Sequence, residues 1–238
     1  MICDVRAISF INDLYVRLPD IQTRLVIIDG EDSPITMGPG PFLTCRRETD
    51  GTDHSIPLPM SLPEEIFHRI ASYDGNPKSY SIGFLGSVGK QKESRYALIE
   101  KISSYYPDSL LNTNNEDTHH GERVGLDSYY DNLQRCRVVL NLCGAGCDTF
   151  RFWENAACNA LHVSEQLPLF ILDDFKDRRD IMRFSGVDQL RSIIDTHLSG
   201  SKETDQIIQN SRQHLWDYHL TTKRATYFLD RIKNGFYK

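Results

Sequence analysis

The sequence has no long hydrophobic run, no internal repeat, no low-complexity tract and no excess of positive charge. Each absence removes a class of protein. The longest apolar runs, such as Leu25-Val26-Ile27-Ile28 and Val138-Val139-Leu140, fall far short of the ~20 residues a helix needs to cross a bilayer. Lys and Arg number 27 against 33 Asp and Glu, a formal charge of −6. Affinity for nucleic acid comes mostly from neutralising phosphates, so an acidic chain is a poor general binder and no nucleic-acid partner is expected. The start Met1-Ile2-Cys3-Asp4-Val5-Arg6 lacks the basic-then-apolar pattern of a signal peptide. Cysteine is sparse for the length: Cys3, Cys45, Cys136, Cys143, Cys147 and Cys158 in 238 residues. A chain of this size does not need disulfide staples. No Cys-x-x-Cys pair occurs, and Cys143-x-x-x-Cys147 is not a zinc spacing. The six are read as reduced thiols of a cytoplasmic protein, with no metal site, and His119-His120 as a solvated loop.

What is present is ordinary for a globular chain: 39% hydrophobic and 25% charged residues. That excludes a disordered chain, which is poor in apolar residues and strongly charged. The length suits one large domain or two small ones. Apolar residues at Val5, Ile8, Ile11, Leu14, Tyr15 and Leu18 have helical spacing. Residues 25–28 read as a buried strand ending in Asp29-Gly30-Glu31-Asp32, and 42–45 as a short strand after a Gly-Pro turn at 38–41. Residues 49–63 are rich in Asp, Gly, Ser and Pro and form the best candidate boundary. This divides the chain into a short N-terminal lobe with its linker over 1–60 and a second domain over 61–238. Pro63-Glu64-Glu65 opens a helix, with Pro and acidic residues in its first turn.

In the second domain, a strand from Ser81 runs into a glycine loop at Gly86, Ser87 and Gly89, followed by a helix over 93–105. Further strands are expected at 109–111, 137–142 and 161–164. Helices are expected at 129–134, at 149–160 and over most of the chain beyond 186. Strand–helix alternation with apolar strands predicts an α/β fold, a parallel sheet covered on both faces. Ligands of such sheets sit at the carboxyl ends of strands. That rule selects the Gly86 loop and the loop at 144–148.

The second loop is Cys143-Gly144-Ala145-Gly146-Cys147-Asp148-Thr149, at the end of a strand and the start of a helix. Glycines let backbone N–H groups approach a ligand, and a helix start presents free N–H donors and a positive dipole end. Together they suit a diphosphate. Thr149 adds a hydroxyl and Arg151 a charge-assisted bond. Phe150, Trp153 and Ala157 have the spacing of a packed face, and Arg151, Glu154 and Cys158 that of a neighbouring, ligand-facing one. A carboxylate at Glu154 can accept from two ribose hydroxyls. The plainer reading makes Asp148 a helix cap and Arg151–Glu154 a surface ion pair. Spacing alone leaves both open.

This segment resembles the C-terminal, donor-binding domain of GT-B glycosyltransferases, most closely the exostosin-like and spore-maturation-type (family-1-like) groups. The likeness rests on Gly144, Gly146, Asp148, Thr149, Arg151 and Glu154, followed by Ala157, Ala160, Leu161, Ser164 and Glu165. Phe84-Leu85-Gly86-Ser87 and the tail from Trp216 to Tyr227 also fit. The resemblance implies a Rossmann-like donor domain with a truncated N-terminal lobe. It implies a nucleotide-diphosphate-sugar donor on Gly86, Ser87, Gly144, Ala145, Gly146, Asp148, Thr149, Arg151 and Glu154, with no cofactor and no metal. It further implies transfer to a glycan or other hydroxyl acceptor. Retaining members carry two glutamates with seven residues between them, and here the first position is Gly146. Only about 60 residues precede the second domain, fewer than the full lobe that normally holds the catalytic base. For that base the strand-end candidates are Asp29, Glu31 and Asp32. The alternatives are a non-catalytic nucleotide-sugar module and a subunit that depends on a partner or a second copy.

Overall fold

Among the residues described by the computed structural model (2–4, 6, 10, 13, 16–18, 20, 25–32, 43–52, 55–86, 93–111 and 125–236), nine strands form two parallel sheets. The first sheet runs β1 (Ile2–Asp4), β2 (Val26–Asp29), β3 (Leu43–Arg46), β4 (Ile56–Pro57), each strand parallel to the next. Leu25, Val26, Ile27 and Cys45 are buried there, as a parallel strand covered on both faces requires. β2 and β3 are the strands expected at 25–28 and 42–45. β1 and β4 were not expected: three and two residues are too few to show a period, and pairing alone makes them strands. Residues 10, 13, 16 and 17 are helical. Arg6 lies in a 3₁₀ turn and Leu18 outside any helix; the other residues of the helix expected over 5–18, the turn at 38–41, the Ser87–Gly89 part of the first glycine loop and His119-His120 lie outside the described residues.

α1 (Glu64–Ala71) follows, with Pro63 at its N-cap and Glu64 and Glu65 in its first turn. The second sheet then builds from β5 (Tyr80–Phe84), α2 (Glu93–Tyr105), β6 (Leu110–Leu111), α3 (Leu126–Gln134), β7 (Cys136–Asn141), α4 (Phe150–Ala157), β8 (Leu161–Glu165) and β9 (Met182–Phe184). Its order is β6-β5-β7-β8-β9, all parallel. Three helices close the chain: α5 (Val187–His197), α6 (Lys202–Tyr218) and α7 (Thr221–Phe236).

Alternation along β7 fills both faces of this sheet. Val138 and Leu140 join Ile99, Ile102 and Ile194 on one side; Val139 joins Tyr130, Phe152 and Trp153 on the other. The last helix returns to the linker: Leu62 N–H donates to the His219 carbonyl at 3.1 Å, and Thr221 N–H to the Leu62 carbonyl at 3.0 Å. α4 is shorter than expected. It stops at Ala157 because Cys158 turns extended and Asn159 N–H is taken by the Gln134 side chain at 2.9 Å.

The strand order fixes where a ligand can lie. From β5 the chain crosses through α2 to β6 on one side, then through α3 to β7 on the other. The crevice beyond the carboxyl ends of β5 and β7 is a topological switch point, the place where ligands of open α/β sheets bind.

Candidate functional site

β7 ends at Asn141, and the chain folds back at once. Gly144 N–H donates to the Gly146 carbonyl at 2.7 Å. That turn brings the Cα atoms of Cys143 and Cys147 to 4.3 Å, and the two are joined by a disulfide. The expectation of six reduced thiols is therefore corrected. The pair is close in sequence and closer in space, which the residue spacing alone does not reveal. Cys45, Cys136 and Cys158 are free and buried. Burial pushes the Cys45 thiol up to about 11 and Cys136 to about 12.

Thr149 caps α4 with extended backbone, and its hydroxyl donates to the Asn141 side chain at 3.3 Å. Ala145 is exposed at the tip of the turn. Asp148 is fully buried; its two carboxylate oxygens accept from Met60 N–H at 2.6 Å and Trp153 Nε1–H at 2.8 Å. It therefore ties the linker to α4. Burial pushes its carboxyl up to about 6, against the opposing pull of those two donors.

Arg151 points from the first turn of α4 over the Phe84 ring, 4.7 Å from its centroid. Its guanidinium fills the space that a side chain on Gly86 would take. Its Nε is buried and has no hydrogen-bond partner among the described residues. Arg95, in the first turn of α2, comes to the same place from the other side. It stands 5.8 Å from the Phe84 ring and donates to the carbonyls of Leu142 (3.2 Å) and Cys143. Burial and the neighbouring Arg151 guanidinium push Arg95 down to about 10. Two guanidinium groups thus converge on the switch point, beside the start of α4.

Glu154 lies one turn further along α4. Tyr129 Oη–H donates to its Oε2 at 3.0 Å and Tyr130 Oη–H to its Oε1 at 2.9 Å. Burial raises its carboxyl, while the two hydroxyls and Arg151 pull the other way. Among the described ion pairs none joins Arg151 to Glu154, so the surface-pair reading does not hold. The expected packed face is corrected at one position. Trp153 and Ala157 are buried, but Phe150, the first residue of the helix, is 60% exposed. Phe152 takes its place in the core, edge-on to Trp153, His162 and Phe175.

The three strand-end acids part company. Asp29 is buried and lies 3.3 Å from Arg46 Nε, with Glu31 N–H donating to its other oxygen. Glu31 faces Arg6 at 3.8 Å. Asp32 reaches across to the second sheet, pairs with Arg47, and would stand 2.5 Å from a Cβ on Gly146. Ser87 lies outside the described residues. Sequence reasoning gave no role to Arg95, Tyr129, Tyr130 or Glu48. Glu48 carries a sequence signal all the same, in the charged run Arg46-Arg47-Glu48 at the end of a strand. No group of three or more His, Cys, Asp or Glu side chains among the described residues is placed to hold a metal ion.

Comparison with known proteins places this geometry. Residues 84–230 match the family model described as glycosyl transferase-like. No curated protein matches the sequence. The fold is similar to that of Alr3699/HepE from Anabaena, crystallised in complex with UDP: TM-score 0.62 at 12% identity, over 88% of this chain and 72% of that one. The same protein in complex with UDP and glucose gives 0.62 at 11% identity, over 88% and 71%. A glycosyltransferase from Rickettsia africae gives 0.60 at 9% identity, over 97% of this chain and 81% of that one. At these identities the likeness is one of fold: a GT-B-like α/β arrangement of Rossmann-like parallel sheets.

Proposed function

The chain belongs to the glycosyl transferase-like family, and from that premise we propose that it transfers a sugar from a nucleotide diphosphate donor to an acceptor hydroxyl. The observation that carries this is the convergence of Arg95 and Arg151 on the switch point, next to the N–H groups that open α4. Breaking the bond between the anomeric carbon and the diphosphate leaves negative charge on phosphate oxygens. Preorganised N–H groups and guanidiniums are what stabilise such charge. They do so without a metal, and the reading assigns the chain none. The diphosphate lies on the 144–149 turn with Gly86 leaving room for Arg151, and Glu154 accepts from the ribose hydroxyls. Tyr129 and Tyr130 each occupy one lone pair of that carboxylate and leave others for the ligand. The acceptor proton goes to a first-lobe carboxylate; of Asp29, Glu31 and Asp32, only Asp32 reaches the turn. Because the similar Anabaena protein was crystallised with UDP, UDP and UDP-glucose are the first donors to try. The narrower exostosin-like and spore-maturation-type assignment rests on the residue pattern over 144–165.

The domain division proposed is a short first lobe over 1–60 and a donor domain over 61–238. Among the described residues no helix is long and apolar enough to cross a membrane. The cytoplasmic site of action proposed from the cysteine pattern stands against the Cys143–Cys147 bond, which favours an oxidising compartment.

One observation favours the partner-dependent reading as second. In the first lobe Ile2, Phe10, Val16 and Leu18 are 52%, 54%, 82% and 53% exposed, apolar side chains that a partner would cover. Release of UDP from UDP-glucose in the presence of an acceptor pool, by this chain alone, supports the enzyme. UDP binding without turnover by the chain alone supports the partner-dependent subunit, or a module that only binds.

A further inference from the structure

Glu48 follows β3 in the first sheet, yet its carboxylate sits on the turn of the second. Its Oε1 accepts from Cys147 N–H at 2.7 Å and from Asp148 N–H at 2.9 Å. Its neighbour Arg47 donates to the Asp148 carbonyl at 2.7 Å. The dipeptide Arg47-Glu48 therefore grips one turn by its donors and its acceptor at once. The Glu48 side chain is only 10% exposed, so this is a packed contact rather than a surface encounter. A Cβ on residue 146 would overlap the Glu48 carboxylate; glycine there is what lets the carboxylate in.

Two backbone N–H groups at a glycine turn leading into a helix, near the positive end of its dipole, are anion-binding groups. Here an anion of the chain itself holds them. Among the described contacts Glu48 reaches neither Arg95 nor Arg151, so an anion with more than one charged group can satisfy the N–H groups and the guanidiniums together where Glu48 cannot. We propose that Glu48 is an internal anion that competes with the donor's diphosphate for the N–H groups of Cys147 and Asp148, so that donor binding and this contact between the two sheets exclude each other. The inference rests on the reading that the diphosphate lies on the 144–149 turn. A ligand that binds only the open fraction of a protein loses affinity in proportion to that fraction.

Calorimetric titration of the full chain with UDP tests this. Glu48→Ala tightens UDP binding by about 10-fold, the amount expected if roughly one molecule in ten has the N–H groups open. Glu48→Gln tightens it less, because the amide oxygen still accepts from the same donors. Asp50→Asn removes an exposed charge two residues along the chain from Glu48 without touching those N–H groups, and changes affinity by less than about 3-fold. Thermal unfolding checks each variant; if Glu48→Ala does not fold, the comparison of Glu48→Gln with Asp50→Asn decides. Equal tightening in Glu48→Ala and Asp50→Asn overturns the inference, since removal of charge would then explain both. If UDP binds wild type, Arg151→Ala weakens it and Glu48→Ala leaves it unchanged, the donor site stands and the competition is overturned. If UDP binds neither wild type nor Glu48→Ala, both fall.

Discussion

Asp148 shows how a side chain at a ligand-binding turn can be occupied with holding the turn together. Its carboxyl is pushed up from 3.8 to about 6 by burial. A raised carboxyl means that the folded state binds a proton the unfolded chain has already lost. Its stabilising contribution is therefore full below about pH 4 and is lost as the pH rises through 6. Wild type should lose on the order of 2–3 kcal/mol of unfolding free energy over that window from this residue. Asp148→Asn should flatten the window, as measured by urea unfolding at pH 4, 5, 6 and 7; parallel curves for the two proteins would refute the assignment. Glu154 makes the second residue-scale prediction. Replacement by Ala would strand the buried Tyr130 hydroxyl, so Glu154→Gln is the cleaner test. It keeps an acceptor for Tyr130 and removes the charge. UDP affinity should fall by about 10–100-fold, the worth of a charged hydrogen-bonded contact, while the melting temperature shifts little.

At the scale of elements, the sheet owes its close strand packing to a missing side chain. Gly83 in β5 lies against Cys136 in β7, where an added Cβ would stand 2.5 Å from Sγ and 3.2 Å from the Cys136 Cβ. Gly83→Ala should cost about 1–3 kcal/mol through overpacking. Adding Cys136→Ala should return part of that loss, since the two substitutions share one contact. Chemical denaturation of both single variants and the double measures this; strict additivity would mean that Gly83 serves some other purpose. The same strands set the donor crevice, so Gly83→Ala should also weaken UDP binding if it folds.

On the scale of the whole molecule, the two sheets are joined by polar contacts at the turn as well as by the chain. Glu48 and Arg47 reach the turn from the first sheet, and Asp148 answers from the second by holding Met60 of the linker. The exposed apolar residues of the first lobe make a separate prediction. If they meet a second copy, sedimentation velocity on the chain alone should show concentration-dependent association. Val16→Glu, at a side chain 82% exposed, should abolish it while leaving the melting temperature within about 1 °C, as surface substitutions do. A monomer at all concentrations would leave only a different partner for that surface.

The sequence by itself determined the parallel α/β plan. Apolar strands such as 25–28 and 137–142 are read by their run of buried residues, and the glycine turn at 144–146 by composition; both are local properties of the chain. It also pointed to Arg151 and Glu154, because helical spacing places them on one side. Only tertiary structure decided the rest, since contact between residues distant in sequence has no period. Arg95 meets Arg151 across the switch point, two tyrosines hold Glu154, and Cys143 bonds Cys147 because a turn folds back. Glu48 lies a hundred residues from Asp148 along the chain, and it reaches that N–H group only because the fold brings the end of β3 to the turn after β7.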